Sequence, residues 1–239
     1  MGIHLRLMEA INKIRDDSLR SKMLDLLGDL SIKVGDKRFT GLPLNEAPAS
    51  RLHHHSYPGG LIDHILSMLN IAFALCDSVE NIYGGKVNRD LVICGIILHD
   101  IFKPLTYEQR EDGRYVFSPL GERIDHLTLI VSELLKRDFP IDLIHVVVTS
   151  HGSGSPISPK TIEALICHLA DEVDSKLNGE ILNAAKYLVK EVTKEEWEKM
   201  DAKTAMKILA LKAEGGWEGF REGIKLIKKN IEAETSSTP

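Results

Sequence analysis

Five stretches of this 239-residue chain carry side chains suited to binding a metal ion: His64, the adjacent pair His99-Asp100, His126, His151, and Asp171 with His168 three residues before it. A lone histidine on an apolar helix is most often a satisfied core residue. Several imidazoles and carboxylates, each on its own helix or at a helix end, are instead how metal centres are assembled inside helical bundles. The mixture of imidazole and carboxylate suits Fe, Mn, Zn, Co or Ni. The three cysteines, Cys76, Cys94 and Cys167, lie in apolar helical patterns, which excludes a thiolate-closed structural zinc site. An adjacent His-Asp pair serves two metals only if its carboxylate reaches across as a bridge, which would be the part of Asp100. His168 is read as a support for the ligands, and His4 and His145 as structural. His53, His54 and His55 lie in a loop beside Tyr57-Pro58-Gly59-Gly60, where a functional role is expected.

These residues need rigid mounts. Apolar positions at helical spacing predict one or two amphipathic helices over 5–32, then helices over 61–79 and 89–102, the second with Asn88 as N-cap and Pro104 as terminator. Between Gly35 and Gly60 the chain is rich in Gly, Pro and Ser and reads as irregular. TYEQREDGRYVFS alternates β-formers about Asp112-Gly113, a hairpin signal. Helices resume over 121–138 and 141–150, and Ser158-Pro159 reads as the N-cap and first residue of a helix to about Asn178. Two more amphipathic helices follow Lys194, interrupted at Gly215-Gly216, with a frayed AETSSTP end. The expectation is an all-α bundle of about seven to nine helices with a single short hairpin and no extended sheet.

A formal net charge of -5 and a pI near 6.1 give no electrostatic footprint for nucleic-acid phosphates, and the balance leans towards a small substrate. Aromatic residues are 5% of the chain, so base-stacking platforms are scarce. The odd, scattered cysteines point to a reducing cytoplasm. Neither a signal-peptide pattern nor an uninterrupted apolar run of spanning length is found, so no membrane partner is expected.

The order His64, His99-Asp100, Asp171 resembles the H…HD…D signature of HD-superfamily phosphohydrolases, and LHDIFKP at 98–104 is similar to their HDxxK segment. His126 and His151 match the two extra histidines of members that hold two metals. HHSYPGGLIDH (54–64) and SHGSGSPISPKTIEALICHLADEVDSK (150–176) resemble the HD module of bacterial 3′→5′ exoribonucleases. The compact form is similar to stand-alone HD cyclic phosphodiesterases that open the 2′,3′-cyclic phosphate of dihydroneopterin with ferrous iron. Two departures separate the chain from the exoribonucleases: Ser150-His151-Gly152 keeps one histidine where they have two, and residues 1–52 are too short and too helical for their oligonucleotide-binding barrel.

The resemblance implies an HD core over 53–178, a lead-in over 1–52 and a helical extension over 179–239. It implies one metal on His64, His99, Asp100 and Asp171 and another on Asp100, His126 and His151. The cofactor is then one or two divalent transition ions, Fe or Mn foremost. Lys103 would contact the substrate phosphate, and His54 or His55 would add a phosphate contact or a proton for the leaving oxygen. The expected activity is hydrolysis of a small phosphate ester, with exoribonuclease action or a non-catalytic regulatory module as alternatives. The state of assembly is left open.

Overall fold

The computed structural model describes residues 4–197 and 200–236. The chain divides into two compact units, Met1–Lys176 and Leu177–Pro239. The first holds α1 (Leu5–Ile11), α2 (Asp17–Gly28), α3 (Gly60–Asn81), α4 (Arg89–Leu98), the single turn α5 (Lys103–Thr106), α6 (His126–Lys136), α7 (Ile141–Val148) and the opening of α8 (Ile162–Thr193). The second comprises the remainder of α8 and α9 (Ala202–Ser236). The fold is all-α, and among the described residues its β structure is two antiparallel hairpins of three-residue strands.

The core of the first unit forms around α4, whose residues Val92 to Leu98 are all buried. A helix apolar on every side must be covered on every side, and α4 packs against α1, α3 and α7. Gly95 makes the close approach possible, since a Cβ there would lie 2.3 Å from Val146 Cγ1 on α7 and 3.4 Å from Cys167 Sγ on α8. The start of α4 is fixed as expected: the Asn88 side chain accepts from the backbone N–H groups of Asp90 and Leu91. Asp125 does the same for α6, accepting from Thr128 N at 2.8 Å. By length and composition α3 could cross a membrane, yet half of its apolar window is buried within the fold. In the second unit Leu182, Ala185 and Val189 of α8 and Ala205, Ile208, Phe220 and Ile224 of α9 are buried.

Four expectations need correction. There are two hairpins: β3 (Tyr107–Gln109) and β4 (Tyr115–Phe117) turn at Asp112-Gly113 as foreseen, but β1 (Ile32–Val34) and β2 (Lys37–Phe39) form another. Its two-residue turn places Gly35 at φ 61, a conformation that glycine adopts without steric cost. Helix α4 ends at Leu98, so His99 is its C-cap and Asp100 lies in the turn beyond. Ser158-Pro159 does not open α8. Thr161 does, its Oγ1 accepting from Ala164 N at 3.2 Å. Finally, α8 passes through Asn178-Gly179 and ends at Thr193. The interruption expected at Gly215-Gly216 is present, with Gly216 at φ 59 and ψ -154.

Candidate metal centre

The six expected ligands come from five places in the first unit. His64 sits in the second turn of α3, His99 and Asp100 at the end of α4, His126 at the first position of α6, His151 in the turn after α7, and Asp171 on α8. They converge into two trios, His64-His99-Asp171 and Asp100-His126-His151, each with ligand atoms within 4.8 Å of one another. Asp100 joins the trios. Its Oδ2 lies 3.3 Å from His99 Nε2 and 3.6 Å from His64 Nε2, while its Oδ1 lies 3.1 Å from His126 Nε2 and 3.4 Å from His151 Nε2. Each oxygen of one carboxylate thus faces a different trio. His151 and His64 both approach Asp171, through Nδ1 at 3.2 Å from Oδ2 and through Nε2 at 3.3 Å from Oδ1 respectively.

Backbone and side-chain acceptors settle which nitrogens remain for a ligand. His99 Nδ1 donates to Ile96 O at 2.7 Å, and His64 Nδ1 donates to Asp174 Oδ2 at 2.6 Å. Both rings therefore turn Nε2 inward, with Nδ1 as the donor that orients a metal-binding imidazole. His64 Nε2, His99 Nε2 and Asp100 Oδ1 are buried with no hydrogen-bond partner. Burying three orphaned polar atoms together is costly unless a cation completes them. The donor set therefore fits divalent metal ions.

The electrostatics agree. Burial works against charge on His64, yet Asp171 and Asp174 raise its pKa to about 9. His151, similarly opposed by burial, is raised to about 9 by Asp100 and Asp171. Asp100 and Asp171 stay well below the usual carboxylate range despite burial, held there by facing imidazoles and, for Asp100, by Lys103. Ionised carboxylates held in a buried pocket attract cations, and a bound metal ion would displace the protons of His64 and His151.

Lys103 is buried, and its ammonium lies 2.5 Å from Asp100 Oδ2. His54 lies at the edge of the centre, its ring 5.1 Å from that of His64 and its Nε2 3.3 Å from Ser175 Oγ. Burial, with His64 and Lys103 nearby, depresses its pKa to about 3, so it is neutral. His55 lies behind the ligands: its Nε2 is 2.8 Å from Asp174 Oδ2 and its Nδ1 2.9 Å from the Tyr57 hydroxyl. His53 is exposed. His168 stays outside both trios, with Nδ1 3.2 Å from Ser150 O and its ring against Gly152, so it supports the turn that presents His151. His145 Nε2 accepts from Lys160 N at 2.9 Å, a structural contact.

Two residues that bear on the site escaped the sequence reading. Asp174 ties His55 and His64 together through one oxygen, and Ser175 donates to Asp171 Oδ1 at 3.2 Å. Their signal was present in the spacing, since positions three and four beyond Asp171 share its helix face. A cleft of about 540 Å³ opens beside the centre, lined by His151, His168, Asp171, Glu172, Ser175 and Lys176.

Residues 61–176 match the HD domain family. The chain is 39% identical over 226 residues to the dihydroneopterin 2′,3′-cyclic phosphate phosphodiesterase of Methanocaldococcus jannaschii, covering 95% of this chain and 90% of that one. It is 37% identical over 142 residues to the 3′-5′ exoribonuclease YhaM of Listeria innocua, covering 55% of this chain and 43% of that one, and 34% identical over the same length to YhaM of Bacillus subtilis. No solved structure matches.

Proposed function

The chain belongs to the HD domain family, and on that premise we propose that it is a metal-dependent phosphodiesterase of small cyclic phosphates, dihydroneopterin 2′,3′-cyclic phosphate foremost. The observation that carries this reading is Asp100, whose two oxygens face two trios with buried, unpaired ligand atoms. The choice of substrate rests on the similarity to the M. jannaschii phosphodiesterase along nearly the whole of both chains. Similarity to the exoribonucleases spans less than half of their length and supports the hydrolytic core rather than a strand-binding surface.

In this reading His64, His99, Asp100 and Asp171 would hold one ion, and Asp100, His126 and His151 would hold a second. Such ions supply Lewis acidity and a water acidic enough to attack phosphorus near neutral pH. Iron or manganese suits the thiolate-free donor set. Lys103 orients and neutralises a non-bridging phosphate oxygen, its cation aimed into the centre beside Asp100. His54, neutral and at the edge, donates a hydrogen bond from its ring N–H to the phosphate. His55 acts through Asp174 rather than on substrate. Residues 53–178 form the hydrolytic core, with 1–52 and 179–239 as extensions, and three buried free thiols suit a cytoplasmic setting.

The test is anaerobic purification, metal analysis and assay against cyclic phosphates, nucleotides and short RNA. Bound iron or manganese with hydrolysis of the cyclic phosphate supports the proposal. Shortening of RNA with no action on cyclic phosphates would replace it with the exonuclease reading.

A further inference from the structure

The hairpin β3–β4 begins where the turn opened by Lys103 ends: Tyr107, four residues beyond Lys103, caps α5 and opens β3. Tyr107 and Phe117 are cross-strand partners with ring centroids 5.9 Å apart. The guanidinium of Arg51, three residues before His54, lies 3.9 Å over the Phe117 ring. Phe117 is nevertheless 43% exposed, and Arg51 pairs with no carboxylate among the described residues. Tyr107 is also within the electrostatic reach of the centre: burial raises its pKa, and Lys103, Asp100 and Arg51 all act on it. A planar cation and two aromatic rings, with one ring partly open, thus lie where the chain leaves the phosphate-facing lysine. Flat π-systems bearing a hydrogen-bond acceptor are held by such a combination, through stacking and guanidinium donors.

We propose that Arg51, Tyr107 and Phe117 form the subsite for a planar heteroaromatic ring on the substrate, so that the hairpin selects the group attached to the phosphate while the metal centre performs the hydrolysis. The inference rests on the phosphodiesterase reading and adds the recognition of the rest of the substrate. With aromatic residues at 5% of the chain, a single platform of this kind suits one ring rather than a strand of bases.

The experiment compares kcat/KM for dihydroneopterin 2′,3′-cyclic phosphate with that for ring-free glycerol 1,2-cyclic phosphate in wild type, Phe117→Ala, Phe117→Trp and Arg51→Met. In parallel, neopterin binding to the same proteins, prepared with their metal, is followed by its fluorescence. The ratio of the two kcat/KM values should fall about tenfold in Phe117→Ala and in Arg51→Met and be retained in Phe117→Trp, and neopterin binding should weaken about tenfold in the first two. A merely structural stack of Arg51 on Phe117 would move both substrates alike, so an unchanged ratio with unchanged neopterin binding overturns the subsite. Should wild type hydrolyse neither phosphate, the phosphodiesterase reading fails, and neopterin binding alone decides the subsite: tight binding lost in Phe117→Ala supports it, and no binding overturns it.

Discussion

At the scale of single residues, the decisive contrast is between groups that hold ions and groups that hold the holders. Asp100→Ala should strip both metals and activity together, whereas Lys103→Ala should keep its metal and lose about 10²- to 10³-fold in turnover, the usual effect of removing one charge stabiliser. Metal content and rate measured on both variants check this, and full activity in Lys103→Ala would remove it from the mechanism. Asp174 belongs to the second kind of group. Because its carboxylate fixes the Nδ1–H of His64, Asp174→Asn should weaken metal binding about 10- to 100-fold, read by competition with a chromophoric chelator. Wild-type affinity in that variant would leave Asp174 a purely structural link to His55. The six candidate ligands could be picked out in the sequence because imidazole and carboxylate recur on five separate segments, and the fold brings those segments together. Asp174 was missed although its spacing places it on the helix face of Asp171, because type and spacing do not tell a carboxylate that serves a histidine from any other polar residue on that face.

At the scale of elements, helix interiors were plainer than helix ends. Asn88 and Asp125 cap as their types prescribe, but the apolar run that suggested a helix to Phe102 conceals the turn that projects His99 and Asp100. Burial of Ile101 and Phe102 continues the apolar pattern after the helical hydrogen bonds have stopped. Asn178-Gly179 reads as a terminator, yet α8 continues because Leu182, Ala185 and Val189 have a buried face of their own, which outweighs the ~1 kcal/mol helical penalty of a glycine. The β1–β2 hairpin was missed because its Gly35-Asp36 turn falls at the head of the Gly-, Pro- and Ser-rich stretch that reads as irregular, whereas Asp112-Gly113 marks the turn of the equally short β3–β4. Gly95 supplies the test at this scale. Gly95→Ala should destabilise the protein by about 1–3 kcal/mol in chemical denaturation, and Val146→Ala in the same chain should restore part of the loss. Unchanged stability in the single variant would mean that α4 and α7 can separate freely.

For the whole molecule, the question is whether the centre holds the fold or the fold holds the centre. The apolar core of the first unit runs through α1, α2, α3, α4, α6, α7 and the opening of α8, and is built of side chains other than the candidate ligands. Chelation should therefore abolish activity while leaving most of the helical circular dichroism signal. Collapse of that signal on metal removal would instead make the ion a folding element. The all-α class followed from the 3.6-residue periodicity, and an extended sheet was rightly excluded. The division at Lys176 falls inside a continuous helix where neither periodicity nor linker composition marks it, and the boundary expected at 178 came from the resemblance alone.

The three cysteines give that question a clock. Cys76, Cys94 and Cys167 lie on α3, α4 and α8, each at most 1% accessible, and burial raises the pKa of every one, that of Cys76 to about 11. A thiol reagent in solution can reach them only when these helices part, so the rate of alkylation measures how often the core opens. Labelling that is equally slow before and after chelation would show a scaffold ready to receive its ions, and labelling accelerated by chelation would show ions that keep the helices shut.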